Sequence, residues 1–476
     1  MKSKYKKIHF IGIGGIGVSA LAKWALLDGV KISGSDAAES EITQELQKMG
    51  AKIFIGHKKE NVPSGADLIV YSDAVPKDNP ERTPLDFPLN KGGDRGVLQK
   101  SYFEFLGEIT RAKKLIAVSG TNGKSTTTAM LGKILVDAGL DPTVIVGSKY
   151  PGFNYGNLQY GKGDLMVLEA CEHNAHMLNL SPEYVVLTNI EADHLDFYKN
   201  LKNIIEAFGK YVATVPAGGF VVYNADDKNT EKIIKQIKGR KVSYGAHEDA
   251  VFRFENRRID DGTQSLDFFI KDAKNAEFSL QSPGLFNVYN AMAAVSAAHS
   301  LGVKLEIIAK TLKNFKDLWR RFERVGEYNG APIISDYGHH PQAIAATVLA
   351  AREFYPERRV VLAFQPHQHH RTKALFADFV RAFDGADVVI LSEIYNVEGR
   401  MDGADRDISS EILAKAIVKY WETDEDHKEK KIHELYYSAN LGETEAKLKE
   451  IIKKDDVVII MGAGDIDGVA RQLVKS

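Results

Sequence analysis

The stretch Ser119-Gly120-Thr121-Asn122-Gly123-Lys124-Ser125-Thr126 constrains this chain most, because an apolar run from Lys114 precedes it and a helical run to Asp137 follows it. Glycines between a strand and a helix let backbone N–H groups close around an anion at the positive helix end. A lysine at that point neutralises β- and γ-phosphate charge, and the hydroxyl after it holds Mg²⁺. Lys124 and Ser125 take these roles, and Gly120, Thr121, Asn122, Gly123 and Thr126 complete an ATP-phosphate loop. Val118 stands where a Walker loop has glycine, so the loop is a shortened variant. Strand, loop and helix in that order imply an α/β fold with parallel sheets and ligands at the carboxyl ends of the strands.

A second glycine turn lies near the start. Gly12, Gly14, Gly15 and Gly17 match G-x-G-x-x-G after the apolar run Ile8–Ile13, and Asp36 ends the next strand where a ribose-binding acid belongs. The pattern locates a diphosphate and leaves NAD and other nucleotide diphosphates equally open. Lys2, Lys4, Lys6 and Lys7 before this stretch imitate a leader peptide, but four closely spaced glycines weaken a leader helix and favour strand, turn and helix start.

Length and composition bound the rest. A chain of 476 residues exceeds one hydrophobic core and calls for about three domains. Charge balances at 62 basic against 64 acidic residues, so no overall field draws nucleic acid or an anionic membrane. With one cysteine, Cys171, neither an internal disulfide nor a zinc site of several thiolates can form, and a cytoplasmic location is expected. No apolar run is long enough for a membrane span.

Short apolar runs alternating with helical ones continue along the chain. A first series runs to about residue 110, with the turn-rich stretch Val75–Arg95 inside it. A second carries the phosphate loop, Leu165–Glu169, Tyr184–Thr188 and Phe220–Tyr223, then an antiparallel excursion at Phe252–Phe254 and Leu266–Ile270, then a helix over Val288–Ser300. A third offers four strands, Pro332–Ser335, Val360–Phe364, Val388–Ser392 and Val457–Met461.

Glu169, closing a strand beside the phosphate loop, is the first metal candidate, with Glu172 as its alternative, and His194 reaches another strand edge as a second ligand with Ser125. Cys171 has no local base and reads as packing. His339, His340, His367, His369 and His370 gather in two loops after third-series strands, suited to a metal or to substrate anions.

Taken in order, Ile11–Ser19, Gly120–Thr126, Asn189–His194, Arg320–Glu323, Asp336–Pro341, Gln365–His367 and Gly462–Ile466 resemble the Mur ligases, ATP-dependent amide-forming enzymes of peptidoglycan synthesis, over essentially the whole chain. The resemblance implies a Rossmann-like UDP-sugar domain (1–110), a central P-loop ATPase-type α/β domain (111–319) and a Rossmann-like C-terminal domain (320–476) that closes over both. It implies ATP and Mg²⁺, with UDP-N-acetylmuramate and L-alanine as partners of a monomer or homodimer. Gly12, Gly14, Gly15, Gly17 and Asp36 would then hold UDP. Asn287 and Asn290 would contact adenine, Arg321 and Asp336 the ATP ribose and phosphates, and His339 and Arg371 the substrate, with Lys124 and His194 catalytic. Tyr337-Gly338-His339-His340-Pro341 stands where relatives that attach a tripeptide tend to carry Phe-Ala-His-His-Pro, which favours alanine. Asn122, Ser125, Phe286 and Gln368 depart from the commoner histidine, threonine, histidine and arginine. The competing classes are a nicotinamide oxidoreductase, which leaves Gly120–Ser125 unexplained, and a nucleotide-switched binding protein.

Overall fold

The computed structural model describes residues 4–82, 97–396, 407–423 and 434–475. Most of the expected Val75–Arg95 loop, from 83 on, lies outside these residues. The backbone forms two compact units: one takes most of the chain to Leu312, the other Asn256–Leu266, Phe278–Val288 and everything from Lys313.

Three sheets carry the architecture. The first is all parallel, in the order Lys52–Ile55, Lys31–Asp36, Lys7–Ile11, Leu68–Tyr71, Leu98–Ser101. In the second, Lys114–Ser119 lies between Tyr184–Leu187 and Leu165–Glu169, with parallel pairing on both sides. Phe220–Asn224 and Arg240–Gly245 continue that sheet beyond Tyr184–Leu187, and Thr143–Ile145 and Leu158–Gln159 finish the other edge. Phe252–Asp260, Thr263–Ile270 and Ala273–Leu280 are longer than the expected excursion and one strand more numerous. The third sheet has six strands where four were expected, in the order Glu323–Tyr328, Ala331–Asp336, Asp456–Met461, Arg359–Phe364, Val388–Ser392, Glu434–Ser438. The two additions are the edges, and only Glu323–Tyr328 runs antiparallel to its neighbour.

Central strands such as Asp456–Met461 and Val388–Ser392 are buried along their whole length, as parallel strands covered on both faces must be. Several of the described helices start on side-chain caps, among them Ser40 with Thr43, Ser101 with Glu104, Asn200 and Asn440. Ile16–Leu27 and Lys124–Asp137 start instead on Gly15 and Gly123 without a side-chain cap, which leaves their first N–H groups to a ligand. Among the described residues no helix is long and apolar enough to cross a membrane.

Candidate active site

Lys124 stands at the carboxyl end of the central strands. Gly120 (φ +136°) and Gly123 (φ +80°) shape its loop, and neither tolerates a Cβ, which would strike Thr188 Oγ1 at the first and Asn290 Oδ1 at the second. The loop is fastened to the stretch after Tyr184–Leu187. Thr121 N donates to Asn189 O (3.0 Å), Asn122 N to Asn189 Oδ1 (2.9 Å), Asn122 Nδ2 to Glu191 Oε2 (3.0 Å) and Thr188 Oγ1 to Asn122 O (2.6 Å). Ser125 and Thr126 are buried in the first turn of the helix.

Lys124 Nζ donates to Gly120 O (2.8 Å) and Thr121 O (2.9 Å) and pairs with Glu172 at 2.8 Å. Burial alone would lower its pKa; the charge of Glu172 outweighs this and holds it above the usual value. Burial likewise acts to raise Glu172, but Lys124 and His194 bring it below the usual carboxylate range. His194 Nε2 lies 3.6 Å from Glu172 and 3.7 Å from Asp193, and donor atoms of these three residues all fall within 4.8 Å of one another. Two carboxylates and an imidazole offer an oxygen-rich donor set that suits Mg²⁺, and Ser125 follows Lys124 in the first turn of the adjoining helix.

Glu169 is turned elsewhere: its Oε2 accepts from Gly147 N at 2.7 Å, and it stands outside the three-residue group. Glu172, three residues on, takes the place facing Lys124, beyond the end of the strand where a pattern search stops. Burial and the adjacent Glu172 push the Cys171 thiol up to about 12, which keeps it protonated at neutral pH. Asn290 closes the loop beside Gly123, with Thr127 Oγ1 3.4 Å from its Oδ1.

The first glycine turn lies in the same unit. Gly12 (φ +76°) and Ile13 both donate to Ser35 O (2.8 and 3.0 Å), and Gly14 N donates to Asp36 Oδ2 (2.7 Å). Asp36 thereby holds the turn open at the N-terminus of Ile16–Leu27. Tyr102 fills the space beside Gly17, where an added Cβ would come within 2.8 Å of its hydroxyl.

The second unit gathers Arg321, Asp336, His339 and Arg371 at the carboxyl edge of the third sheet. Asp336 accepts from Phe322 N (2.8 Å) and Gly338 N (2.7 Å); burial raises its pKa against the opposing pull of Arg321. The Arg321 guanidinium lies 5.0 Å from the Tyr337 ring centre. His339 Nδ1 is 3.2 Å from Tyr337 O, and burial together with Arg371 drives its pKa well below the usual value, so the ring is neutral at pH 7. Arg371 donates to His367 O (3.1 Å), and His367 stacks on Tyr395 with centroids 5.5 Å apart. Asn287 is buried and donates to Pro283 O (2.7 Å) within its own turn.

Family models agree with this layout. Residues 7–114 match the Mur ligase family catalytic domain, 118–298 the Mur ligase middle domain and 320–464 the Mur ligase glutamate ligase domain. A UDP-N-acetylmuramate–L-alanine ligase of Sulfurihydrogenibium is 38% identical over 100% of this chain and 98% of its own length. The chain belongs to the Mur ligase family. Its three-domain α/β architecture is that of a solved UDP-N-acetylmuramate–alanine ligase from Thermotoga maritima, with TM-score 0.81 and 29% identity over 98% of each chain. A murein peptide ligase from Psychrobacter arcticus shares the fold at TM-score 0.68 and 22% identity, covering 99% of this chain and 98% of its own.

Proposed function

We propose that this Mur ligase joins L-alanine to the carboxylate of UDP-N-acetylmuramate at the expense of ATP, in peptidoglycan synthesis. The observation that carries the reading is the pairing of an ATP-phosphate loop with a separate diphosphate turn, in a chain that resembles L-alanine ligases along its full length. A carboxylate does not acylate an amine until one of its oxygens becomes a good leaving group, so both anion sites are needed.

In this scheme a muramoyl carboxylate oxygen attacks the γ-phosphorus of ATP and ADP leaves. The alanine nitrogen then attacks the acyl carbon, loses a proton, and expels phosphate with the former carboxylate oxygen. The turn of Gly12, Gly14, Gly15 and Gly17, braced by Asp36 at Gly14 N, aims the uncapped N-terminus of Ile16–Leu27 at the UDP diphosphate. Gly120–Thr126 cradle the ATP phosphates, and Lys124 supplies a fixed positive charge for the transferring group. Ser125, Glu172 and His194 are the residues that would hold Mg²⁺, which supplies further neutralisation of phosphate charge. Asn290 borders the nucleotide loop beside Gly123. Arg371 offers the cation that an amino-acid carboxylate pairs with, beside the neutral His339.

Phosphate release by the purified chain tests the reading. It should require ATP, Mg²⁺, UDP-N-acetylmuramate and L-alanine together. Release with a tripeptide and none with alanine would move the acceptor to the tripeptide class, and hydrolysis indifferent to both would remove the ligase reading.

A further inference from the structure

The chain between Glu172 and Met177 is held in a conformation it would not adopt alone. Asn174 (φ 50°) and Ala175 (φ 56°) are consecutive non-glycine residues in the left-handed region. Such backbone persists only where its surroundings impose it. The surroundings are visible at both ends. Tyr198 donates its hydroxyl to Glu172 O at the start. At the end, the His176 ring stacks on Phe103 with centroids 3.8 Å apart and planes 9° from parallel, and its Nε2 lies 2.6 Å from Asp73 Oδ2.

Both partners of His176 belong to the segments that line the first glycine turn. Asp73 follows Ser72, whose Cβ would lie 3.0 Å from a Cβ on Gly12. Phe103 follows Tyr102, whose hydroxyl fills the space beside Gly17. The strained turn that carries Glu172 to Lys124 and His194 is therefore fastened to the walls of the diphosphate site.

We propose that His176 is a positioning residue that couples the two sites: ligand on the first glycine turn sets Asp73 and Phe103, these set His176, and His176 sets Glu172 in the geometry that receives the metal-nucleotide. The inference rests on the proposed function, since it takes a sugar nucleotide as the first ligand and a magnesium-nucleotide as the second. Coupling of this kind is reciprocal, so either ligand should tighten the other by the same factor.

The test is calorimetric binding of Mn²⁺ with a non-hydrolysable ATP analogue to the full chain, with and without UDP-N-acetylmuramate. The wild type should bind the analogue at least about fivefold more tightly when the sugar nucleotide is present, the low end of ordinary coupling. His176→Ala and Asp73→Asn should bind each ligand alone within about threefold of wild type and lose the coupling factor. His176→Gln, which keeps a polar nitrogen beside Asp73 but loses the ring stacked on Phe103, should recover part of it. Asp73→Asn preserves shape at a partly exposed position, so its result stands even where His176→Ala fails to fold. Unchanged coupling in Asp73→Asn and His176→Gln, or none in the wild type, overturns the inference. A wild type that does not bind the sugar nucleotide at all would instead sink the proposed function.

Discussion

The turn after Lys7–Ile11 and the turn after Lys114–Ser119 both place glycines at the start of a helix without a side-chain cap, yet their surroundings differ in charge. The first presents backbone and a carboxylate: Asp36 occupies Gly14 N, and the nearest support is a buried polar cluster around Glu81. The second presents a cation, Lys124, held by two carbonyls and Glu172. A site that only holds a diphosphate can rely on oriented N–H groups. A site that moves a phosphoryl group must also meet charge that grows in the transition state.

The sharpest way to break this contrast is Lys124→Ala. Loss of a preorganised charge at the transferring group is worth about 3 kcal/mol or more, so turnover should fall by at least about a hundredfold, while sugar-nucleotide binding by itself stays near wild type. Steady-state kinetics beside direct binding would show it; equal losses in both would erase the distinction between the turns.

The first turn should be the acid-labile one. Glu81 is fully buried; burial acts to raise its pKa, but hydrogen bonds with His9, Ser35 and Asn61 bring it down to about 2 from 4.5. Because the folded-state value is depressed, its stabilising contribution is complete above pH 4.5 and is lost as pH falls from 4.5 toward 2, about 3 kcal/mol at most. Denaturant titrations across that window should show the loss in wild type and a flatter profile in Glu81→Gln. Ser35 links this cluster to the turn, since its carbonyl accepts from Gly12 and Ile13.

Gly14→Ala should affect the first turn alone. Its Cβ would sit 2.9 Å from Asp36 Oδ2, so KM for the sugar nucleotide should rise by roughly tenfold with KM for ATP unchanged. A rise in both would mean that the turns do not bind separate ligands. The smallest expected change separates two carboxylates near the second turn. Glu172→Gln should shift the Mg²⁺ titration of activity severalfold, because it removes a hard anionic donor. Glu169→Gln should shift it less, since a carboxamide oxygen can still accept from Gly147 N.

Both glycine turns were legible in the sequence, because each rests on local spacing between an apolar strand and a helix. The interior strands Arg359–Phe364, Val388–Ser392 and Asp456–Met461 of the third sheet were legible for the same reason: each is apolar but for one end residue. Its edges were not. Glu323–Tyr328 and Glu434–Ser438 are half exposed and mix charge with tyrosine; the first pairs across the Asn329-Gly330 turn with Ala331–Asp336, and only the second takes its pairing from a strand far along the chain, Val388–Ser392. Edge strands Leu98–Ser101 and Leu158–Gln159 were missed likewise, being short and carrying no periodic pattern. Within the site, Gly120–Ser125 and His194 could be named from sequence, whereas choosing Glu172 over Glu169 needed the path of the chain. Three residues beyond a strand end, its direction is set by a strained turn and by His176, contacts that no spacing rule encodes.

The central claim, that the muramoyl carboxylate is activated by phosphoryl transfer before the amine attacks, is tested most directly by isotope. UDP-N-acetylmuramate carrying ¹⁸O in its lactyl carboxylate should be turned over with ATP, Mg²⁺ and L-alanine, and the released phosphate examined by mass spectrometry. The account requires one carboxylate oxygen to leave in each phosphate, because the acyl C–O bond is the one broken when the nitrogen attacks. Phosphate free of label, with the amide product formed, would contradict it.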